Sequence, residues 1–340
     1  MKIKDLTVDK KTKIYPVFLP NAGCKKRCVF CNQHIMTGEE LLSIDKIKDE
    51  IGKLINFETE SESRTIKIDE IAFYGGTFTG LKTEVIDKLL SIFPSVPKRI
   101  STKPDAINEE IIEHLLAGNV KVVELGIESL DDAVLLASNR GYNAKIALEA
   151  IELIKAKFNL TVHLMVGLPL DSREKDLETV KKLIKAGVKE FRIHPTIVFK
   201  DTILEKMYHE KTYKPLDLEE AVDIVSDLVM LIESNDGKVL RLGYHVPQTQ
   251  TQYIVAGPYH PSFGDIVRAR IIRKIVREFK IKKITYNKKF FSWVNSYGNK
   301  QLPVEKEIMN NNTRNINCDT LLFDGIPLDR ILKMYVRKFI

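Results

Sequence analysis

The sequence predicts an α/β fold, a partial (β/α)6 TIM-like barrel followed by a small basic α+β appendage, and three observations carry that expectation. Short apolar runs alternate with amphipathic stretches from about Ile14 to Gly243, and strands alternating with helices imply a parallel sheet with right-handed crossovers. Glycine or polar clusters follow the strands, at Gly75-Gly76-Thr77, Lys103-Pro104-Asp105, Gly126-Ile127-Glu128-Ser129 and Gly167-Leu168-Pro169. Loops at strand C-termini build the sites of parallel α/β folds. After Gly243 the alternation stops and the chain turns basic.

Taken in order, Ile14 to Leu19 reads as a strand, and Ile44, Ile47, Ile51, Leu54 and Ile55 keep helical spacing. Strand Glu70 to Tyr74 precedes a helix carrying Val85, Ile86, Leu89, Leu90 and Phe93, which Pro94 stops. The unit recurs as strand Arg99 to Thr102 with helix Asn108 to Ala117, then strand Lys121 to Leu125 with helical stretches Asp131 to Leu136 and Ala144 to Lys157. Strand Leu160 to Val166 with helix Arg173 to Ala186, and strand Glu190 to His194 with helix Leu218 to Glu233, complete six units. Six fall short of the eight of a closed barrel. Residues 244–263 are rich in Gln, Pro, His and Gly without a period and read as a functional loop or boundary. Beyond lie a basic helix from Asp265 to Phe279, a strand-like stretch near Lys283 to Trp293, a strand Thr320 to Phe323 and a final helix Leu328 to Phe339. The expected organisation is thus 1–243 barrel, 244–263 boundary and 264–340 basic α+β domain.

At 340 residues, with 44% hydrophobic and 29% charged residues, the chain is of globular composition and can bury a sizeable core, which excludes disorder and collagen-like structure. No apolar run reaches the ~18 residues of a spanning helix, and the N-terminus lacks a secretory apolar stretch, so a cytoplasmic protein with no membrane partner is expected. The formal charge is +7, but residues 264–340 hold 17 Lys or Arg against 7 Asp or Glu, a net of +10, leaving −3 for the rest. A basic appendage on a near-neutral body is a footprint for a polyanion, nucleic acid first, or else a solvated Lys-rich surface. Arg268, Arg270, Arg273, Lys274 and Arg277 fall on one helix, followed by Tyr286, Lys288, Lys289, Phe290, Phe291, Trp293 and Tyr297. Bases beside stacking aromatics are how looped or single-stranded RNA is held, although in so small a domain half the rings must be core.

Three of the four cysteines fall within eight positions, in Cys24-Lys-Lys-Arg-Cys28-Val-Phe-Cys31, directly after the first strand. Such a set is no disulfide framework. Three thiolates on one short loop can take three corners of an iron-sulfur cubane and leave the fourth iron open. Structural zinc would want a fourth ligand, for which His34 is the nearest candidate, but zinc ribbons pair their cysteines in two separate knuckles. Cys318 is remote and reads as an ordinary side chain.

This spacing, with the aromatic Phe30 before the last cysteine, resembles the CxxxCxΦC motif of the radical S-adenosylmethionine (SAM) superfamily. Phe73-Tyr74-Gly75-Gly76-Thr77-Phe78-Thr79 stands where that family has its Gly-Gly-Glu-type turn. Within that superfamily the chain resembles the Elongator-catalytic-subunit-like and oxygen-independent coproporphyrinogen-oxidase-like branch, including a bacterial group without the acetyltransferase domain. The shared stretches, among them AFYGGTFTGL, STKPDAI, ELGIESLDD, HLMVGLP and RIHPTIVFKDTIL, run from Leu19 to about Val267. Lys103 stands where many relatives have Arg, and Glu128 where many have Gln.

The resemblance implies a [4Fe-4S] cluster on Cys24, Cys28 and Cys31, whose open iron chelates the methionine part of SAM, and an electron donor such as ferredoxin or flavodoxin. Reductive cleavage then releases a 5′-deoxyadenosyl radical, the hard chemistry being the cofactor's. By position, Gly75, Gly76 and Thr77 meet the methionine end of SAM, and Ser101, Glu128, Arg140 and His163 match places that contact its ribose, carboxylate or adenine. Arg140 with Glu128 reads equally as a structural ion pair, and His163 as a satisfied core histidine. No catalytic residue beyond these is identified. The implied activity is modification of RNA, a tRNA base, with the tail as docking surface; the alternative is a small-molecule substrate such as a tetrapyrrole, with the tail capping the barrel.

Overall fold

The computed structural model describes residues 13–55, 68–309 and 321–340. Seven parallel strands form one sheet in sequence order: β1 (Ile14–Phe18), β2 (Glu70–Tyr74), β3 (Lys98–Thr102), β4 (Val120–Glu128), β5 (Asn159–Val166), β6 (Glu190–Pro195) and β7 (Lys238–Leu242). Six of these are the strands expected from the sequence; β7 is an addition. The sheet curls into a half-barrel, bringing Tyr74 of β2 within electrostatic reach of Arg192 of β6 and Arg241 of β7.

Alternation along the strands explains the two faces. Ile71, Phe73, Ile100, Val123, Leu125, Val162, Leu164, Phe191 and Ile193 are buried in the main core cluster under the helices. Glu70, Arg99, Glu124, His163 and Arg192, one residue out of phase with them, bond to one another on the inner face. Branched apolar side chains ordinarily fill such an interior. Here it is charged. The helices begin where a polar side chain caps the first turn, as at Asn108, Asp131, Asn143, Ser172 and Thr202, and in the capping box of Asp217 with Glu220. These caps set the loops at the strand C-termini.

Helices Phe263–Phe279 and Leu328–Phe339 pack on helix Leu218–Ser234, and a small sheet of Lys283–Tyr286, Glu305–Ile308, Leu321–Phe323 and Ile326–Pro327 lies beside them. The strand expected to run to Trp293 ends at Tyr286, because Asn287 caps a turn by accepting from the Lys289 N–H, and helix Phe291–Asn295 follows. Within 244–263 a turn at Gln248–Tyr253 leads into a short strand, Ile254–Ala256, antiparallel to Val198–Phe199.

The basic helix does not present the open cationic face expected of it. Arg268 grips Glu233 with two hydrogen bonds of 2.7 and 2.6 Å; Arg270 pairs with Asp223 and Glu219, and Lys274 with Asp223 and Asp227. Arg273 bonds Asn299 Oδ1 and the Tyr297 carbonyl. The charges of Arg268, Arg270 and Lys274 therefore join the appendage to the acids of helix Leu218–Ser234, while Arg273 braces the appendage itself. Of the tail's aromatics, Tyr286 and Phe290 are buried and Trp293 donates its indole N–H to Asp265, whereas Phe291 is exposed. Cys318 lies outside the described residues. Among those residues no helix is long and apolar enough to cross a membrane.

Candidate active site

The loop leaving β1 and the turn leaving β2 are clamped backbone to backbone. Leu19 N–H donates to the Tyr74 carbonyl and Thr77 N–H to the Ala22 carbonyl, both at 2.8 Å. Gln33 Oε1 accepts from Asn21 N–H at 2.5 Å and from Gly76 N–H at 2.7 Å, tying both segments to one side chain. Gly76 has φ +60°, and a Cβ there would stand 2.2 Å from the Ala22 carbonyl oxygen. Gly76→Ala is expected to destabilise the chain by about 3 kcal/mol or more, since neither backbone can yield. Gly325→Ala, at φ +82° with nothing near the new methyl, should cost only about 1 kcal/mol. Urea titration of the two variants checks the difference.

Each sequence-predicted thiol has a polar neighbour. Cys24 Sγ lies 3.2 Å from Thr77 Oγ1, Cys31 Sγ accepts from Asn21 Nδ2 at 3.5 Å, and Cys28 Sγ accepts from Arg140 at 3.0 Å. Burial, with Cys28 beside it, pushes the Cys31 thiol up to about 12. Among the described residues no three His, Cys, Asp or Glu side chains group around a common metal point. His34 is exposed and bonds the Glu39 carbonyl. Phe30 is buried with Val29, Val134, Met165 and Leu168, and Lys25, Lys26 and Arg27 are exposed.

Arg140, 4% exposed, connects the cysteine loop to β4. Its guanidinium bonds Cys28, the Gly126 carbonyl and Tyr142 Oη, and lies 3.6 Å from Glu128 Oε1. Burial opposes its charge, but Cys28, Tyr142 and Glu128 outweigh burial and hold its pKa well above the ordinary value. Lys103 donates to the Arg140 carbonyl at 2.6 Å. Glu128 has φ +63°, and the β4–β5 register skips Ile127, a bulge of the kind that re-aims a side chain beside a site. The Ser101 hydroxyl is buried with no partner. A buried hydroxyl left so implies an acceptor or donor supplied from outside.

His163 is not brought to Glu128. Its Nε2 lies 2.6 Å from Glu124 Oε2, and Glu124 also accepts from Arg99 at 3.0 Å and Arg192 at 2.8 Å. Burial would raise the Glu124 carboxyl, but these three partners bring it down to about 2. Beside His163, burial and the neighbouring cations bring His194 down to about 3, a neutral ring whose Nδ1 lies 3.1 Å from the Gly243 carbonyl. Gln33, Asn21, Glu124, Arg192 and Tyr142 were not singled out by the sequence, although Glu124 and Arg192 open the shared stretches ELGIESLDD and RIHPTIVFKDTIL.

Several cavities lie outside this cluster, and two of them fall within residues 244–303. One of about 580 Å³ is lined by Tyr244, His245, Val246, Pro247, Gln248, Thr251, Tyr259 and Pro261, and Tyr244 feels the charges of Glu128 and Cys31. The other, about 750 Å³, runs along the end of helix Phe263–Phe279 and is lined by Arg273, Arg277, Lys280 and Lys282 with no acidic residue.

Residues 18–183 match the model of the Radical SAM superfamily and residues 188–273 that of the Radical_SAM C-terminal domain. An uncharacterised protein of Methanocaldococcus jannaschii is 26% identical over 222 residues, 63% of this chain and 65% of that one. The tRNA uridine(34) acetyltransferase of the same organism is 30% identical over 174 residues, 49% of this chain and 31% of that one. Among solved structures, the archaeal Elp3 of Methanocaldococcus infernus with an N-terminal deletion has a TM-score of 0.59 at 21% identity, covering 77% of this chain and 63% of that one, a likeness of fold. The chain spans less than two thirds of each of these relatives. With both family models lying end to end over the half-barrel and the helix that follows it, the chain belongs to the radical SAM superfamily, whose enzymes use a [4Fe-4S] cluster and SAM.

Proposed function

We propose that Cys24, Cys28 and Cys31 hold the [4Fe-4S] cluster and that the enzyme cleaves SAM reductively to modify RNA, a tRNA base. The cluster, when bound, supplies the electron that breaks a carbon–sulfur bond of SAM and gives a 5′-deoxyadenosyl radical. The residues present fit it. Three thiols share one short loop, each has a donor or hydroxyl beside it, and Arg140 offsets part of the negative charge that three thiolates bring. Gly75, Gly76 and Thr77 receive the methionine end of SAM through groups other than the Gly76 and Thr77 N–H, which Gln33 and the Ala22 carbonyl already hold. Ser101 near the end of β3, whose hydroxyl lacks a partner among the described residues, Glu128 at the end of β4 and Arg140 in the loop between the two helices that follow β4 complete the SAM contacts. His163, bonded to Glu124, instead belongs to the charged layer beneath. Buried Phe30 keeps water from the cluster, and a donor such as ferredoxin or flavodoxin approaches over the exposed Lys25, Lys26 and Arg27.

The observation that carries the RNA reading is the acid-free groove of Arg273, Arg277, Lys280 and Lys282, suited to a phosphate backbone. The cavity beside Tyr244 and Tyr259 has aromatic rings in its wall and is large enough for a base turned out of its stack. A relative's name as a tRNA uridine(34) acetyltransferase points the same way. In this reading residues 1–243 carry the chemistry, 264–340 dock the RNA and 244–263 line the passage between.

Arg277→Glu with Lys282→Glu should weaken tRNA binding at least tenfold and flatten its salt dependence by about two ion equivalents, because both phosphate contacts change sign. Reductant-driven formation of 5′-deoxyadenosine should persist. Equal tRNA affinity in wild type and variant, measured by filter binding over a salt series, would refute the groove as docking surface. Absence of 5′-deoxyadenosine from the reconstituted wild type would refute the chemistry.

A further inference from the structure

The inner wall of β6 and β7 carries a charge arrangement that the fold does not need. Arg192 and Arg241 are direct register partners on these strands, and like charges side by side across strands are destabilising. An irregularity brings them together. The register passes from Phe191↔Val239 to Arg192↔Arg241, so that Leu240 is skipped; in regular register Leu240 would stand beside Arg192. Bulges are frequent next to functional sites, where they re-aim a side chain.

Among the described residues neither arginine has a full set of partners. Arg192 gives one terminal nitrogen to Glu124, which Arg99 and His163 already share, and its Nε is buried without a partner. Arg241 is exposed to solvent and has no hydrogen bond or ion pair among the described residues; desolvation and the charge of Arg192 lower its pKa, against the opposing pull of Tyr74 and Glu124. Of the other inner-face acids, Glu70 bonds Arg99 and Glu190 accepts from the Thr161 hydroxyl. A planar oxyanion set between two guanidinium forks would give the Arg192 Nε–H its acceptor and cancel the repulsion, a geometry that lysines could not reproduce.

The geometry points to an oxyanion clamp formed by Arg192 and Arg241, which holds a phosphate or carboxylate group of the substrate inside the half-barrel. This rests on the half-barrel interior being the reaction chamber, and is independent of the RNA groove. The clamp lies in the layer of Glu124 and His163, below the cysteine loop, where a substrate anchored by its anion would direct its opposite end toward the cluster.

The test uses the full chain without iron, in thermal unfolding at matched ionic strength with inorganic phosphate, acetate or methionine as probe, sodium chloride being the control. Phosphate should raise the melting temperature of the wild type beyond chloride, and Arg241→Gln should lower phosphate affinity by about tenfold to a hundredfold, the loss of one charge-assisted pair. Without anion the variant should melt at the wild-type temperature or above it, because a like charge has been removed. Acetate acting as strongly as phosphate, with the same loss in the variant, supports the clamp and identifies the group as a carboxylate. Equal phosphate effects in wild type and variant overturn the clamp, and so does a marked drop in the melting temperature of the anion-free variant, which makes Arg241 structural. Loss of methionine binding in the variant assigns the anion to SAM and overturns the substrate reading. A failed clamp beside intact 5′-deoxyadenosine formation and intact tRNA binding leaves the proposed function standing.

Discussion

Replacing Cys28 by alanine is expected to reduce bound iron from about four atoms per reconstituted chain to well under one. The cysteine loop offers three thiols, and a cubane deprived of one would keep two iron sites without protein ligands. Arg140 would also lose the sulfur it donates to at 3.0 Å, leaving a buried guanidinium with Tyr142, the Gly126 carbonyl and Glu128. Iron and sulfide assays after anaerobic reconstitution read the result, and far-ultraviolet circular dichroism should stay unchanged. A Cys28→Ala protein that keeps four irons and its visible absorption would show that the cluster sits on other ligands.

Glu124→Ala should be the most destabilising single substitution in the inner layer, costing about 3–5 kcal/mol, because it leaves Arg99, Arg192 and His163 facing one another with no shared carboxylate. Equilibrium unfolding in urea measures the loss; a cost below about 1 kcal/mol would mean that water replaces the carboxylate. The pH dependence has a definite sign. The Glu124 carboxyl sits at about 2 in the folded chain against an ordinary 4.5, so its contribution is complete above about pH 4.5 and is lost as pH falls through about 2. Glu124→Gln, which cannot ionise, should lack that part of the acid limb.

The strands that were legible are those whose apolar residues announce a buried outer face, such as Ile71 and Phe73 or Val162 and Leu164. β7 was not, because Lys238-Val-Leu-Arg-Leu242 carries two cations in five residues and its alternation is interrupted at Leu240. The cysteine spacing identified the loop, but the partner of Cys28 lies 112 residues away at Arg140, a distance that no local pattern spans. The basic tail was misjudged in detail for a different reason. Composition counts charges without their partners, and the acids Glu219, Asp223 and Asp227, four residues apart on one helix, take up Arg270 and Lys274 of another. Both stripes are present in the amino-acid sequence, but only the packing of the two helices makes them partners.

The clamp between the cysteine loop and the Gly-Gly-Thr turn has a consequence for maintenance. Its hydrogen bonds run from backbone to backbone and to Gln33, groups other than the thiols. On the proposed cluster ligation, a chain that loses its cluster to oxygen is expected to keep the two segments joined, so that fresh iron and sulfide should restore it without a newly synthesised polypeptide. The lifetime of the protein and the lifetime of its cofactor would thereby be uncoupled.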